Sequence, residues 1–338
     1  MFSSLPLIQA PMAGVQDSAL ALAVCQAGGL GSLPCAMLTP DGVAQEVACL
    51  RAQTDAPFNL NFFCHETPEP DLPGLSRWQT RFQGFYEALG LPMPPPLAGV
   101  TRQPFNQAMA DVVTALKPPV VSFHFGLPAP ALLQQVKDSG AKVMSSATTV
   151  AEARWLAQRG VDAVIAQGLE AGGHRGHFLS DDITRQMGTF ALLPQIVAAV
   201  SVPVVAAGGI ACAAGVKAAL DLGAAAVQVG TAYLLCVEAK TSPVHRQALR
   251  SEAAQHTALT NVFTGRPARG IVNHLMEVLG PIHADAPAFP LAAAASAPLR
   301  AQAEAQGRAD FSPLWAGQNT RGCQEISAKL LTRELVQW

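Results

Sequence analysis

Val205-Ala206-Ala207-Gly208-Gly209-Ile210 and Val227-Gln228-Val229-Gly230-Thr231 are two short apolar runs, each broken by glycine at its C-terminal end. Between them Ala211–Leu222 carries the spacing of an amphipathic helix. A strand, a glycine turn, a helix and a second strand make one βαβ unit, whose strands lie parallel. As the last two strands of a closed (β/α)₈ barrel, these runs would end in loops that sit side by side. Backbone N–H groups freed by glycine would there line a cradle for a phosphate. Gly208, Gly209 and Gly230 let an anion approach the backbone, and Thr231 adds a hydroxyl donor. Either turn alone is also explained as a tight βα loop; it is the pair at consecutive strand ends that points to a phosphate.

The same unit recurs along the chain. Eight apolar runs qualify as strands: Leu7–Pro11, Leu30–Pro34, Phe58–Phe63, Val120–Phe125, Lys142–Ala147, Ala163–Gln167, Val202–Ala207 and Ala225–Val229. Helical patterns alternate with them at Ser18–Ala27, Asp41–Arg51, Ala129–Ser139, Val150–Arg159, Phe190–Ala199 and Ala211–Leu222. Eight regular units use up the strands of a barrel, so the expected class is α/β, a (β/α)₈ TIM barrel built from residues 1–63 and 120–231. Two segments exceed its needs. Residues 64–119 hold helical patterns at Trp78–Leu89 and Phe105–Leu116, separated by the Pro-rich run Leu91–Leu97. Residues 232–338 hold further patterns at Val244–Gln255, Leu291–Gln306 and Glu325–Val336. Together they are expected to form a mainly helical region over the barrel mouth.

Composition narrows the partners. Half the 338 residues are hydrophobic and 14% are charged, which suits a densely packed enzyme and excludes disorder. A net charge of −2 offers no attraction to nucleic acid or to an anionic membrane, so the expected partners are small molecules. The most apolar stretch, Ile196 to Cys236, is interrupted by glycines, Lys217 and Asp221, and reads as barrel core instead of a membrane span. Seven cysteines form no CxxC pair, and Met1 to Leu5 runs into the first strand without a basic leader and apolar signal core. Free thiols and a cytoplasmic location are expected, with the chain a monomer or homodimer.

Phosphosugars, nucleotides and FMN all use such a cradle, so other strand ends must narrow the ligand. Met12 follows the first strand, Asn61 lies in the third and Gln167 closes the sixth. Asn and Gln amides offer donors and acceptors that suit the edge of an isoalloxazine ring, although a buried amide in a barrel also serves its neighbouring strands. The loop Gln167-Gly168-Leu169-Glu170-Ala171-Gly172-Gly173-His174-Arg175-Gly176 presents a histidine at the catalytic face. Neutral imidazole removes a proton from carbon and imidazolium stabilises an anion; a structural role is the plain alternative. His124, at the end of the fourth run, is expected to face the mouth as a second donor to substrate. His174-x-x-His177 with Asp181 and Asp182 has metal-like spacing, but two imidazoles at that spacing need a helical turn and the glycines argue for a loop; no metal is expected. Arg266 and Arg269 would anchor the C-terminal segment by salt bridges or neutralise phosphate.

Several pieces occur together in one family. Gln9-Ala10-Pro11-Met12-Ala13-Gly14, Ala27-Gly28-Gly29-Leu30-Gly31-Ser32, Asn59 to His65, Val121 to Gly126 and Gln167 to Gly176 resemble class I nitronate monooxygenases, formerly called 2-nitropropane dioxygenases. The likeness continues through Ala206 to Ile210, Gln228 to Thr231, Thr264–Gly270 and Trp315 to Gln318. Glu170-Ala171-Gly172-Gly173-His174-Arg175-Gly176 is its most specific run. The resemblance implies an FMN-binding barrel in which Asn61, Gln167, Gly172, Gly208, Gly209, Gln228, Val229, Gly230 and Thr231 contact FMN. Met12 would lie near the ring and His174 would be the catalytic histidine. The implied reaction oxidises an alkyl nitronate, such as propionate 3-nitronate, with O₂ to a carbonyl compound and nitrite, by one-electron transfer through the flavin.

One departure bears on substrate. Where the family often carries Tyr ahead of a Pro, this chain reads Phe289-Pro290-Leu291 and then alanines. Phe289 is therefore expected to line the entrance and leave a substrate anion short of a donor. The alternatives are an NAD(P)H-dependent flavin reductase for quinones or enoyl substrates on the same scaffold, and a non-flavin barrel that binds a phosphorylated metabolite.

Overall fold

A computed structural model describes residues 2–96 and 102–338. Met1 and the end of the Pro-rich run at Leu97 lie outside the described residues. The strands are β1 (Leu7–Gln9), β2 (Gly31–Pro34), β3 (Phe58–Phe63), β4 (Val120–His124), β5 (Lys142–Ala147), β6 (Ala163–Gln167), β7 (Gly173–His174), β8 (Val204–Ala207), β9 (Ala226–Val229), β10 (Thr257–Thr260) and β11 (Ala268–Ile271). Eight of them form one parallel sheet in the order β1-β9-β8-β6-β5-β4-β3-β2. Its edges meet through a parallel bridge between Ile8 and Leu30, with Gln9 N–H donating to the Leu30 carbonyl at 2.9 Å. The fold is a (β/α)₈ barrel, and its strands coincide with the eight apolar runs to within two residues at every end.

Strand periodicity divides the barrel into two cores. Phe58, Leu60 and Phe62 of β3, Val121 and Phe123 of β4, Val164 and Ala166 of β6, and Val227 and Val229 of β9 face outward into the layer beneath the helices. Their alternates face inward. Ile8, Leu30, Val120, Met144, Ala163, Ile165 and Val205 fill the barrel as an apolar plug. Toward the C-terminal strand ends the inward positions become polar, with Asn61, Ser122, Ser146, Gln167 and Gln228 bordering a cavity. Within the plug layer Asn59, opposite Val120, is a polar exception, donating to the Ser32 and Ser122 hydroxyls at 3.0 and 2.9 Å.

Helices α1 (Ser18–Ala27), α2 (Pro40–Arg51), α3 (Leu72–Thr80), α4 (Gln83–Leu89), α5 (Gln107–Leu116), α6 (Pro130–Asp138), α7 (Val150–Gln158), α8 (Thr189–Ala199), α9 (Ala213–Asp221), α10 (Pro243–Arg250), α11 (His274–Leu279), α12 (Ala293–Ala305) and α13 (Ala328–Glu334) complete the chain. Two of them sit differently from the sequence reading, which gave residues 64–119 and 232–338 wholly to the covering region. α5 buries Ala110 and Val113, and α13 buries Ala328 and Leu331, in the same core as the barrel strands. Thr332 of α13 also hydrogen-bonds the Tyr233 hydroxyl at 2.7 Å. A barrel strand left without its own helix would expose its outer face, and the chain supplies these two helices at the end of each excursion.

What remains of the excursions shares a second core of Trp78, Phe82, Tyr86, Phe263, Leu275, Leu299 and Phe311. Trp78 donates its indole N–H to the Ala292 carbonyl at 3.2 Å, and the Tyr86 hydroxyl donates to the Ala295 carbonyl at 2.9 Å. The small side chains of the alanine run let α3 and α4 come this close to α12. A three-stranded antiparallel sheet, β10-β11-β7, joins this region to the barrel, with Ala268 opposite His174. Among the described residues no helix is long and apolar enough to cross a membrane.

Candidate active site

The cavity at the C-terminal ends of the strands is bordered by Met12, Asn61, His124, Gln167, Gly172, His174, Gly208, Gly209, Gln228, Gly230 and Thr231. Two residues expected there are absent from its walls. Val229 points outward into the helix-facing core, because β9 already turns Gln228 inward and neighbours on a strand face opposite ways. Its carbonyl is taken by Ala10 N–H at 2.8 Å. Phe289 is buried instead of lining an entrance: its ring meets His174 edge-on at 5.2 Å and His65 at 4.8 Å.

Beyond β8 and β9 the backbone opens. Gly208 and Gly209 adopt φ values of +117° and +73°, a left-handed turn that side-chain-bearing residues rarely adopt. Across from it, Thr231 Oγ1 accepts from Gly317 N–H at 2.9 Å, which leaves the hydroxyl proton free to donate. Gln228 Oε1 is buried and has no hydrogen-bond partner among the described residues. Asn61 donates from Nδ2 to the Ser122 hydroxyl at 3.0 Å. The third wall is the segment from Trp315 to Asn319, where Asn319 donates to the Gly209 carbonyl at 3.0 Å. Gly172 lies so close to this segment that a Cβ would come within 2.5 Å of Gly317 N.

The loop after β6 is held from every side. Glu170 receives Thr189 N–H at 2.8 Å and the Thr189 hydroxyl at 2.9 Å, which fixes it to the start of α8. Arg175, 0% exposed, donates to the carbonyls of Gly168 at 2.8 Å and Gln167 at 2.9 Å and to Gln186 Oε1 at 2.6 Å. Burial brings its pKa down to about 9. Glu152, buried on α7, accepts from Thr148 N–H and hydroxyl and from Phe178 N–H. Neither Glu152 nor Thr189 carried a sequence signal: both lie outside the motif and act only through contacts made in three dimensions.

Within this frame His174 Nε2 meets the Thr264 hydroxyl at 2.9 Å, and that hydroxyl donates to the Arg266 carbonyl at 3.3 Å. Thr264 therefore accepts from Nε2–H, and the lone pair of His174 is left on Nδ1. Burial first, then the charge of Arg102, holds His174 well below the ordinary imidazole pKa. It is neutral near pH 7. His124 is not the free donor expected from its position. Its Nε2 donates to the His174 carbonyl at 3.1 Å and its Nδ1 accepts from the Ser146 hydroxyl at 2.9 Å, so both nitrogens are occupied, and burial pushes its pKa down to about 3. Gln167 likewise serves the loop, donating to the His174 carbonyl at 2.9 Å and accepting from Gly176 N–H at 2.7 Å. One Nε2 proton remains to it.

An aromatic cluster of Phe63, Phe125, Phe289 and Trp315 surrounds the His174 ring. Phe125 holds φ at +70°, an uncommon conformation for a bulky residue, and is flanked by the Arg266 guanidinium at 4.3 Å from its centroid. Arg266 and Arg269 do anchor the C-terminal segment, but through carbonyls and not salt bridges: Arg266 donates to His177 and Arg269 to Leu169 at 3.0 Å. Arg102, which no motif signalled, also borders the cavity.

A sequence model of the family described as "Nitronate monooxygenase" matches residues 1–337. A nitronate monooxygenase of Paraburkholderia phytofirmans is 41% identical over 332 residues, covering 98% of this chain and 91% of that protein. Another from Pseudomonas aeruginosa is 38% identical, covering 98% and 95%. Among solved structures, a nitroalkane oxidase from Streptomyces ansochromogenes superposes with a TM-score of 0.90 at 39% identity, covering 99% of this chain and 95% of that one. FabK from Thermotoga maritima superposes at 0.71 with 27% identity, covering 98% and 92%. With a full-length family match and relatives of this identity, the chain belongs to the nitronate monooxygenase family.

Proposed function

We infer that the protein oxidises alkyl nitronates of the propionate 3-nitronate kind with O₂, giving a carbonyl compound and nitrite. The observation that carries this reading beyond the family is a neutral imidazole with its Nδ1 lone pair free, in a cavity bordered by no carboxylate among the described residues. An anionic nitronate meets no like charge there, and a neutral nitroalkane meets a base.

The cofactor is a flavin, and FMN is the form the residues fit. The left-handed Gly208-Gly209 turn and the Thr231 hydroxyl suit one phosphate. The unpartnered Gln228 Oε1, the Asn61 amide and the remaining Gln167 N–H suit the polar edge of the ring, with Met12 and Gly172 along its faces. Bound FMN would supply the one-electron chemistry between nitronate and O₂. The chain's own residues do the rest. Thr264 fixes the His174 tautomer, while His124 and Gln167 hold its carbonyl. The aromatic cluster keeps water from the imidazole. His174 takes a carbon-bound proton from a nitroalkane onto Nδ1, a step that a nitronate, already deprotonated, does not need.

The test begins with the absorbance spectrum of the purified protein and the mass of the flavin released on denaturation, which should be that of FMN. Anaerobic mixing with propionate 3-nitronate should bleach the flavin, and aerobic turnover should release nitrite. Bleaching by NADPH with none by the nitronate would replace this reading with a flavin reductase.

A further inference from the structure

Among the described residues, one formally charged side chain borders the cavity, Arg102, whose only part so far is the effect of its charge on His174. It stands three residues before Phe105, whose N–H donates to the Phe63 carbonyl at the end of β3 at 2.8 Å. The Phe105 ring packs against Phe62 at 4.9 Å and Phe123 at 5.2 Å, which ties this stretch to the barrel. The Arg102 guanidinium lies 5.6 Å from the centre of the Phe289 ring, the same ring that meets His174 at 5.2 Å. Its Nη1 is buried and has no hydrogen-bond partner among the described residues.

The other arginines of this region are engaged: Arg175 by Gln167, Gly168 and Gln186, Arg266 by His177, and Arg269 by Leu169 and Thr257. Each holds backbone in place. Arg102 holds none. Burial and the charge of Arg300 lower its pKa, with no carboxylate acting against them. A buried guanidinium nitrogen with no acceptor is costly, and an anion entering the cavity would relieve that cost.

We propose that Arg102 is the specificity-determining residue of the site and grips a planar two-oxygen anion on the substrate, the nitronate head or a carboxylate on its chain. The planar guanidinium fork matches either group with two parallel N–H···O bonds, and the apolar Phe289 ring beside it strengthens that pairing. The inference rests on the nitronate reading above for the identity of the substrate, but the anion grip is measurable without turnover.

The experiment compares the holoenzyme with Arg102→Gln and Arg102→Lys on propionate 3-nitronate and on the nitronate of 1-nitropropane, and measures succinate binding by calorimetry as an unreactive two-carboxylate probe. In Arg102→Gln, KM is expected to rise about tenfold or more, with kcat and flavin content little changed. Arg102→Lys, which keeps the charge without the fork, should recover part of the loss. A rise for both nitronates assigns the grip to the head, and a rise for propionate 3-nitronate alone assigns it to the carboxylate. KM values and succinate affinity within about twofold of the parent would overturn the proposal. A parent protein that binds succinate through Arg102 yet consumes no nitronate would remove the nitronate reading and leave the grip standing.

Discussion

At the scale of single residues, function turns on which nitrogen of which histidine is free. His174 and His124 both stand at strand ends facing the mouth, and sequence position does not tell them apart. Hydrogen bonds do: His124 spends both nitrogens on Ser146 and the His174 carbonyl, whereas His174 spends one. Replacing His174 by Asn should therefore cost about 10²–10⁴-fold in the oxidation of neutral nitroalkanes, with a smaller loss on nitronates and flavin still bound. Stopped-flow reduction by both substrates checks it, and parent-like rates with both would remove His174 from the chemistry. Because its pKa is depressed, His174 stays unprotonated as pH falls below 6.5, so the acid limb of nitroalkane kcat/KM should lie below that pH. An acid limb at pH 7 or above would contradict this. Val229 shows what sequence could have told and did not: once Gln228 is turned inward, the period of two sends Val229 out. Phe289 and Gln167 were beyond such reasoning, since their partners at His65, His174 and Gly176 are fixed only by the closed fold.

At the scale of elements, the barrel strands were legible because each is a continuous apolar run bounded by a turn, and burial on both sides enforces that pattern. The small sheet was not. β7 is two residues long, with glycine as one of them, and it is a strand only because Ala268 and Arg269 pair with it. α5 and α13 had visible helical patterns, but whether they cover the barrel or its mouth depends on contacts such as Leu331 with the α1 layer, which no local pattern encodes. The junction between the His174 loop and the Trp315–Asn319 segment gives a direct test. Gly172→Ala would drive a Cβ against the Gly317 backbone, which cannot yield without moving the wall of the cradle. Flavin content is expected to fall well before the fold is lost, as read by the ratio of flavin to protein absorbance beside circular dichroism. Full flavin occupancy in this variant would mean that the two segments do not need to touch.

Across the whole molecule, five histidines have pKa values pushed down by desolvation, three of them buried (His65, His177 and His245) and two half-buried (His124 and His174): His65 and His245 to about 4, His124 and His177 to about 3, and His174 well below its ordinary value. Unfolded, each titrates near 6.5. Below that pH the unfolded chain binds protons that the native state refuses, so stability is intact above about pH 6.5 and declines as pH falls toward 4. Carboxylates titrate lower, which leaves the window from pH 6.5 to 5 to these histidines. Thermal unfolding at a fixed scan rate should give a Tm that drops steadily across that window. A flat Tm there would mean that the imidazoles are not held neutral.

β7 belongs to two bodies at once. Its His174 carbonyl is held from the barrel by His124 and Gln167, while its backbone is paired to β11 and its ring to Thr264, both in the segment that follows the barrel. The roof of the site and its base are one hydrogen-bonded piece, so swinging the roof aside would dismantle the base. Substrate traffic must then pass by rotation of side chains and not by hinged opening. For the same reason a barrel fused to a foreign roof would lose its chemistry unless the exchange carried β11 and Thr264 with it: in this fold the two cannot be inherited separately.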